Sequence, residues 1–258
     1  MTEPSLLNPL SDVVISWLFS STDENMDIAA CELINAVLSN AGQPLIKEVV
    51  ELRSQYGIPG FDPTKKAVRL DVFARSFEGK LISFEVMLGD NRDFNDRTLF
   101  NASKLMIQEA YRGAIPHIDQ DNPESNDPKV TEAHYRRSPQ VIMINILRRE
   151  LKNDHPDFHQ PLGFCYLHDG RLASQKILAH NIELAKFLRI EHPDLSNPLQ
   201  LWLHSLTSAY KNPATRDEVM AMSPGLHAFL TKYNRADLDS DLRLWQLKSE
   251  EGLQDQLV

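Results

Sequence analysis

The sequence predicts an α/β domain, a mixed β-sheet flanked by helices, followed by a helical C-terminal part. Three observations favour it. Two runs of alternating character, 67–75 and 80–88, are separated by a turn containing Gly79 and indicate a β-hairpin. The run 139–147, "PQVIMINIL", is continuously apolar and β-branched, as in a strand buried on both faces. From Pro198 onward the pattern is helical, with breaks at "KNPATRD" and "MSPG".

The N-terminal elements follow from local signals. Residues 12–39 have helical spacing, in one or two helices, and Ser11 is a plausible N-cap. Residues 45–52 form either a first strand or an extended link into the irregular stretch "SQYGIPGFDPTKK". Residues 93–112 have the spacing of a helix. Its expected apolar side consists of Leu99, Phe100, Leu105, Met106 and Ala110.

The segments after this helix are predicted in the same way. The polar stretch 115–129 is expected to be a surface loop. The stretch "PLGFCYLHDG" predicts a short strand that ends at an Asp169-Gly170 turn, and 177–188 is expected to be helical. We place a first domain at residues 1–192 and a helical extension at residues 193–258.

Composition limits the classes of function. The 258 residues are 42% hydrophobic and 24% charged, and no apolar run approaches the ~20 residues of a membrane span. The N-terminus lacks the positive region of a signal peptide. Cys31 and Cys165 lie in apolar surroundings and predict buried thiols, so we expect a cytoplasmic protein away from membranes. The net charge of −9 argues against a wide phosphate-binding surface but allows a local basic groove.

The predicted hairpin carries two acids where a strand core is expected. Glu85 interrupts the apolar stretch "KLISFEVML", and burying an unpartnered carboxylate is costly. Because side chains alternate along a strand, Glu85 lies on the face opposite Phe84. By the same rule Asp71 lies on the face opposite Leu70 and Val72.

The turn decides whether these acids meet. A three-residue loop of Phe77, Glu78 and a left-handed Gly79 would pair Asp71 with Glu85, with Cβ atoms ~4.5–5.5 Å apart. A two-residue loop would put the acids on opposite faces.

Two carboxylates this close repel each other, so either one is protonated or a cation lies between them. A hard divalent cation, most simply Mg²⁺, suits oxygen ligands. The alternative is a pair of solvated acids neutralised at the surface by Arg69 or Lys80.

A wider set of sequence blocks resembles a known family. An Asp on one strand of a hairpin, followed by Glu on the next, resembles the signature of the PD-(D/E)XK nucleases. Six blocks occur in the order seen in the recombination-promoting nuclease family (Rpn): "LNPLSDVVISWLF", "ENMDIAACELINAVL", "RLDVFARSFEGKLISFEV", "DFNDRTLFNASKL", "SPQVIMINIL" and "HNIELAKF". The resemblance covers about residues 7–188, so the domain at residues 1–192 is expected to be nuclease-like. The helical tail also fits the helical C-terminus of the family.

The resemblance implies a restriction-endonuclease-like core and a Mg²⁺-dependent DNA endonuclease active in recombination or transposition. Asp71 and Glu85 match the catalytic, metal-binding acids, and the backbone carbonyl of Val86 would be a further metal ligand. Asp12 is another acid that matches the family. It either lies near the metal site or serves as a capping or surface residue.

The sequence departs from the family at Met87, where a Gln or Lys normally assists the attacking water. A thioether donates no hydrogen bond. The segment 15–17 also lacks the basic residues that the family often has there. On this ground the alternative is a catalytically impaired nuclease fold that binds DNA or a protein partner. The oligomeric state stays open, with a homodimer as one option.

Another group could replace the lost donor. Arg97, Asn101, Lys104 and Gln108 share one face of the predicted helix 93–112. If that face looks onto the acids, Lys104 or Gln108 would orient the water as a catalytic or binding group, and Arg97 would hold a phosphate. The alternative is a solvated helix face.

Overall fold

The computed structural model describes residues 7–20, 25–58, 68–87, 93–112, 138–151, 155–236 and 239–254. Within them lie six strands: β1 Val49–Ile58, β2 Val68–Ser76, β3 Leu81–Met87, β4 Val141–Leu147, β5 His159–Cys165 and β6 Leu172–Glu183. The same residues contain eight α-helices: α1 Asp12–Leu18, α2 Met26–Asn40, α3 Phe94–Arg112, α4 Leu184–Phe187, α5 Pro198–Thr207, α6 Pro213–Met222, α7 Pro224–Ala236 and α8 Ser240–Gln254. The predicted fold class, a restriction-endonuclease-like mixed sheet flanked by helices, is confirmed.

The strands form one mixed sheet in the order β1-β2-β3-β4-β6-β5. The first three strands are antiparallel neighbours, β3, β4 and β6 are parallel, and β5 returns antiparallel to β6. Parallel neighbours require a crossover, and α3 lies in the crossover between β3 and β4. This connection brings α3 onto one face of the sheet.

The opposite face carries the larger core. Phe84, Ile144 and Ile182 of the sheet pack in one apolar cluster with α1, α2 and the C-terminal helices, including Trp202 and Phe229. A smaller cluster lies on the α3 side and contains, from α3, Ala102 and Leu105. Residues before and after position 192 therefore share the larger core, and the predicted domain boundary there stays a prediction.

Local capping explains where several helices begin. Ser11 is the N-cap of α1, as predicted, and its Oγ accepts a hydrogen bond from Val14 N at 3.3 Å. Asn197 and Asn212 cap α5 and α6 in the same way, each with Pro at the first helical position. The predicted breaks in the C-terminal helices are confirmed, because α6 begins within "KNPATRD" and the boundary between α6 and α7 falls within "MSPG".

Two predicted elements are wrong or too short. Residues 177–183 belong to β6 rather than to a helix, and only the short α4 follows. Pairing with β4 on one side and β5 on the other overrides the helical spacing. The strand β1 continues to Ile58, through part of the stretch expected to be irregular. The predicted loop 115–129 lies outside the described residues.

The orientation of α3 also differs from the prediction. Leu99 and Phe100, expected on its apolar side, are 57% and 58% exposed. Asn101 and Lys104, expected on a polar face, are buried at 6% exposure each. The solvated-face alternative is therefore wrong for these two residues.

Further expectations concern the thiols and the membrane. Cys165 is exposed and Cys31 half-buried, so the prediction of two buried thiols is wrong, and both are free. Among the described helices, none has the length and apolar character needed to cross a membrane.

Candidate metal-binding site

The hairpin turn has the predicted form. Gly79 adopts a left-handed φ of 78°, which glycine tolerates without steric cost, and Ser76 N donates to Lys80 O at 2.9 Å. The three-residue loop is thereby confirmed over the two-residue alternative. The ladder between β2 and β3 runs from the pair Arg75 and Leu81 to the pair Val72 and Phe84, and Asp71 and Glu85 are the next residues of the two strands beyond its last pair.

Hydrogen bonds tie each acid to the other strand. The backbone N–H of Val86 donates to Asp71 Oδ2 at 2.9 Å, and the backbone of Asp71 in turn hydrogen-bonds the Glu85 carboxyl group. Ser83 Oγ donates to Glu85 Oε1 at 3.2 Å. Both carboxyl groups are thus held between β2 and β3 rather than directed into solvent.

The surroundings of Asp71 disfavour its charged form. Burial is the largest effect and raises the pKa of Asp71 to about 6, with the nearby charge of Asp12 adding to the increase. The hydrogen bond from Val86 N–H and the positive charge of Arg97 act in the opposite direction. The site therefore lacks enough positive charge to keep this carboxylate ionised at little cost.

The effect is stronger at Glu85, which is 5% exposed. Burial, followed by the charge of Asp71, raises the pKa of Glu85 to about 8. The hydroxyl of Ser83 and the charge of Arg97 lower it by smaller amounts. Because each ionised acid opposes ionisation of the other, a bound cation would relieve both.

Helices α1 and α3 bring the two charges that act on this pair. Asp12, in the first turn of α1, raises the pKa of Asp71, and its Oδ1 accepts a hydrogen bond from Val13 N at 2.8 Å. Asp12 therefore lies close enough to influence the site. Arg97, in the first turns of α3, is exposed and acts on both acids.

The other predicted residues of α3 lie further along the helix. Lys104 is about 10 Å beyond Arg97 along the helix axis. Its Nζ contacts Ile58 O at 3.5 Å and lies 6.0 Å from the ring of Phe100. Gln108 lies about 16 Å beyond Arg97. Within the described part of the chain its Oε1 is buried without a hydrogen-bond partner.

The helix is fixed over the sheet by an ion pair near its C-terminal end. Arg75 of β2 contacts Glu109 of α3 at 2.7 Å and Glu51 of β1 at 2.9 Å. The hydroxyl of Tyr56 also reaches Glu109, at 3.4 Å. Since Glu109 is only 6% exposed, this contact restrains the position of α3 and therefore of Arg97.

A polar chain behind Asp71 was missed by the sequence analysis. Ser16 Oγ donates to Asp71 O at 3.3 Å, and Gln55 Nε2 donates to Ser16 Oγ at 2.7 Å. Gln55 has a φ of 52°, a costly conformation for a residue other than glycine. At this point β2 also departs from regular alternation: Leu70 packs in the α3-side cluster and Val72 in the opposite one. The prediction that Leu70 and Val72 share a face is wrong.

Met87 ends β3 half-buried, and its backbone O accepts a hydrogen bond from Arg148 N at 3.0 Å. Its side chain supplies no hydrogen-bond donor. Two polar residues on the strands beyond β3, Asn145 of β4 and Asn181 of β6, were also missed. They align with Glu85 in the parallel ladders.

The donor set suits a hard cation. Within the described ranges, no three or more His, Cys, Asp or Glu side chains form a group that could hold a metal ion. A cation here would depend on the carboxylates of Asp71 and Glu85, assisted by neutral oxygens such as the predicted Val86 carbonyl. Carboxylate and carbonyl oxygens are the ligands that Mg²⁺ and Ca²⁺ prefer, so the residues present fit such an ion.

Comparison with known proteins assigns the chain to a family. The family described as PD-(D/E)XK nuclease family transposase matches residues 9–257, so the chain belongs to it. This match confirms the suspected kinship and a nuclease-type function, and nucleases of this kind generally use divalent metals. Neither a curated protein nor a solved structure showed a significant match.

Proposed function

We propose that this member of the PD-(D/E)XK nuclease family transposases is a Mg²⁺-dependent DNA endonuclease. It hydrolyses phosphodiester bonds in the cytoplasm and acts in recombination or transposition. One observation carries the proposal: Asp71 and Glu85 directly follow the last ladder pair of β2 and β3, and hydrogen bonds tie each acid to the other's strand. Their raised pKa values mean that a cation would stabilise the doubly ionised pair.

Each residue then has a distinct task. Asp71 and Glu85 would hold the cation, with the backbone carbonyl of Val86 as a further oxygen ligand. When bound, the cation lowers the pKa of a water molecule and offsets charge that develops on the phosphate. Arg97 is exposed and close enough to affect both acids, which suits it to contact a phosphate oxygen. Lys104 and Gln108 remain candidates for orienting water and binding substrate.

A local basic region supports DNA as the substrate despite the net charge of −9. Arg148 and Arg149 are exposed and follow β4 directly. The backbone hydrogen bond from Arg148 to Met87 puts them at the end of β3, two residues after Glu85. Phosphate contacts need only such a local patch.

Cleavage of plasmid DNA in Mg²⁺ tests the proposal. The wild-type protein is expected to nick or linearise the plasmid, and EDTA should stop the reaction. Asp71→Ala should reduce the rate by about 10²-fold or more. Glu218→Ala, at an exposed acid on α6, is the matched control and should cut like wild type. Equal cleavage by Asp71→Ala and wild type, or none by either, would count against the proposal.

Met87 favours a second candidate, a nuclease fold that binds DNA without cutting it. The half-buried thioether stands where the family's water-assisting side chain is expected. This candidate predicts DNA binding without cleavage by wild type, and cleavage by Met87→Gln or Met87→Lys. Metal-dependent cutting by the unmodified protein would exclude it.

A further inference from the structure

A row of buried polar side chains extends the candidate site across the sheet. The parallel ladders align Glu85 of β3 with Asn145 of β4, and Asn145 with Asn181 of β6. Asn145 and Asn181 are each 1% exposed. Their strand neighbours Ile144 and Ile182 pack into the larger core, so the row faces the α3 side.

Hydrogen bonds orient the amides of this row. Asn145 Nδ2 donates to Asn181 Oδ1 at 2.9 Å, and Asn181 Nδ2 donates to Asn95 Oδ1 at 3.3 Å, at the start of α3. The amide oxygen and nitrogen leave the trigonal Cγ in different directions within one plane. Because Asn145 Nδ2 is directed at Asn181 of β6, its Oδ1 points away from β6, and the neighbouring strand on that side is β3, where Glu85 lies level with Asn145.

Core packing alone does not account for this row. Burying an amide costs free energy unless its groups are hydrogen-bonded, and an aliphatic side chain would fill the same volume in a strand otherwise reading "VIMINIL". The candidate site also lacks a third acidic ligand within the described ranges. A neutral carbonyl oxygen would add a ligand without adding to the repulsion between Asp71 and Glu85.

We propose that Asn145 is a further oxygen ligand of the divalent cation, with Asn181 and Asn95 as positioning residues that hold its carbonyl toward Glu85. The proposal rests on the proposed function, since it assumes that Asp71 and Glu85 bind the cation. It adds a ligand from β4 to a set otherwise drawn from the β2–β3 hairpin.

Calorimetric titration with Mn²⁺, in the absence of DNA, tests the assignment on the full chain. Asn145→Ala is expected to weaken Mn²⁺ binding by about tenfold or more. Asn145→Asp should restore most of the affinity because it keeps an oxygen ligand. A purely structural role predicts the reverse, since an ionised Asp cannot donate to Asn181 and would be at least as harmful as Ala. Asn181→Ala should give an intermediate loss.

The matched control is Asn35→Ala. It removes two hydrogen bonds between Asn35 and the backbone of Ile46, at 2.9 and 3.0 Å, remote from the row. It should leave Mn²⁺ binding unchanged. Circular dichroism and urea unfolding verify that each variant is folded. If Asn145→Ala does not fold, the Mn²⁺ affinity of Asn181→Ala decides whether the row contributes to cation binding.

The outcomes separate this inference from the proposed function. Wild-type affinity in both Asn145→Ala and Asn181→Ala, alongside lost binding in Asp71→Ala, would overturn only the role of Asn145. An equal loss in Asn35→Ala would also overturn it, by showing a general effect of destabilisation. Absence of Mn²⁺ binding in wild type, or full binding by Asp71→Ala, would overturn both.

Discussion

The two faces of β3 and β4 are buried to a similar degree but differ in chemistry. On the face covered by α1 and α2, Phe84 and Ile144 are at most 2% exposed and purely apolar. On the face covered by α3, Glu85 and Asn145 are at most 5% exposed and polar. Because both sets alternate along the same strands, one backbone supports a stabilising face and a costly one. Proteins retain such costs mainly where function requires them.

Damage to the apolar face is expected to cost the most stability. Phe84 stacks on Phe19 with ring centroids 5.9 Å apart. Phe84→Ala should lower the free energy of unfolding by about 3–5 kcal/mol through the cavity it leaves. Urea unfolding measures this loss. The protein that remains folded should keep its affinity for the cation. A decrease in the free energy of unfolding below ~1 kcal/mol would contradict the stabilising role of this face.

The second test removes the main cost from the polar face. Burial raises the pKa of Glu85 from 4.5 to about 8, so between these pH values the folded state binds more protons than the unfolded state. The free energy of unfolding of the cation-free protein must then fall as pH rises through this range. Glu85→Gln should flatten that slope and stabilise the protein at pH 8 by about 1–3 kcal/mol.

Urea unfolding in EDTA at several pH values from 5 to 8 measures the slope. Glu191→Gln, at an exposed acid, is the control and should follow wild type. If Glu85→Gln is destabilising at pH 8, or leaves the slope unchanged, Glu85 is not held in the unfavourable environment described here. Asp71, whose pKa is raised to about 6, contributes with the same sign over a lower range.

The smallest effect is expected at Arg97, at the rim of the polar face. Its charge lowers the pKa of both acids. Arg97→Gln should therefore raise both pKa values, and the increase should be small because the side chain is exposed. Carbon-13 NMR titration of the carboxyl groups measures the shift. The control Arg189→Gln, at an exposed arginine paired with Glu150, should leave both pKa values unchanged. Equal changes of the pKa values in both variants would show that Arg97 has no specific role.

The polar face could be predicted from the sequence only where local signals determine it. The three-residue turn with Gly79 fixed the hairpin register, and the register brought Asp71 and Glu85 together. The same signal, a polar residue inside an apolar strand, is present at Asn145 in "VIMINIL". Hydrophobic spacing alone does not show that such a residue lies level with Glu85.

The rest depended on tertiary contacts that spacing does not encode. The sequence 177–183 has helical spacing, but it forms a strand because β4 and β5 pair with it on both sides. The burial of Asn101 and Lys104 arises because α3 turns that side toward the sheet and leaves Leu99 exposed. The left-handed Gln55 and the Ser16 contact behind Asp71 have no local signature at all.

We propose above that Asp71 and Glu85 jointly bind one divalent cation. Mg²⁺ titration calorimetry at pH 7, in buffers of different ionisation enthalpy, measures affinity and proton release together. With pKa values of about 6 and 8, binding to wild type should release close to one proton, and Asp71→Asn should abolish binding. Mg²⁺ binding that is equal in wild type and Asp71→Asn, or that releases no proton, would contradict the account.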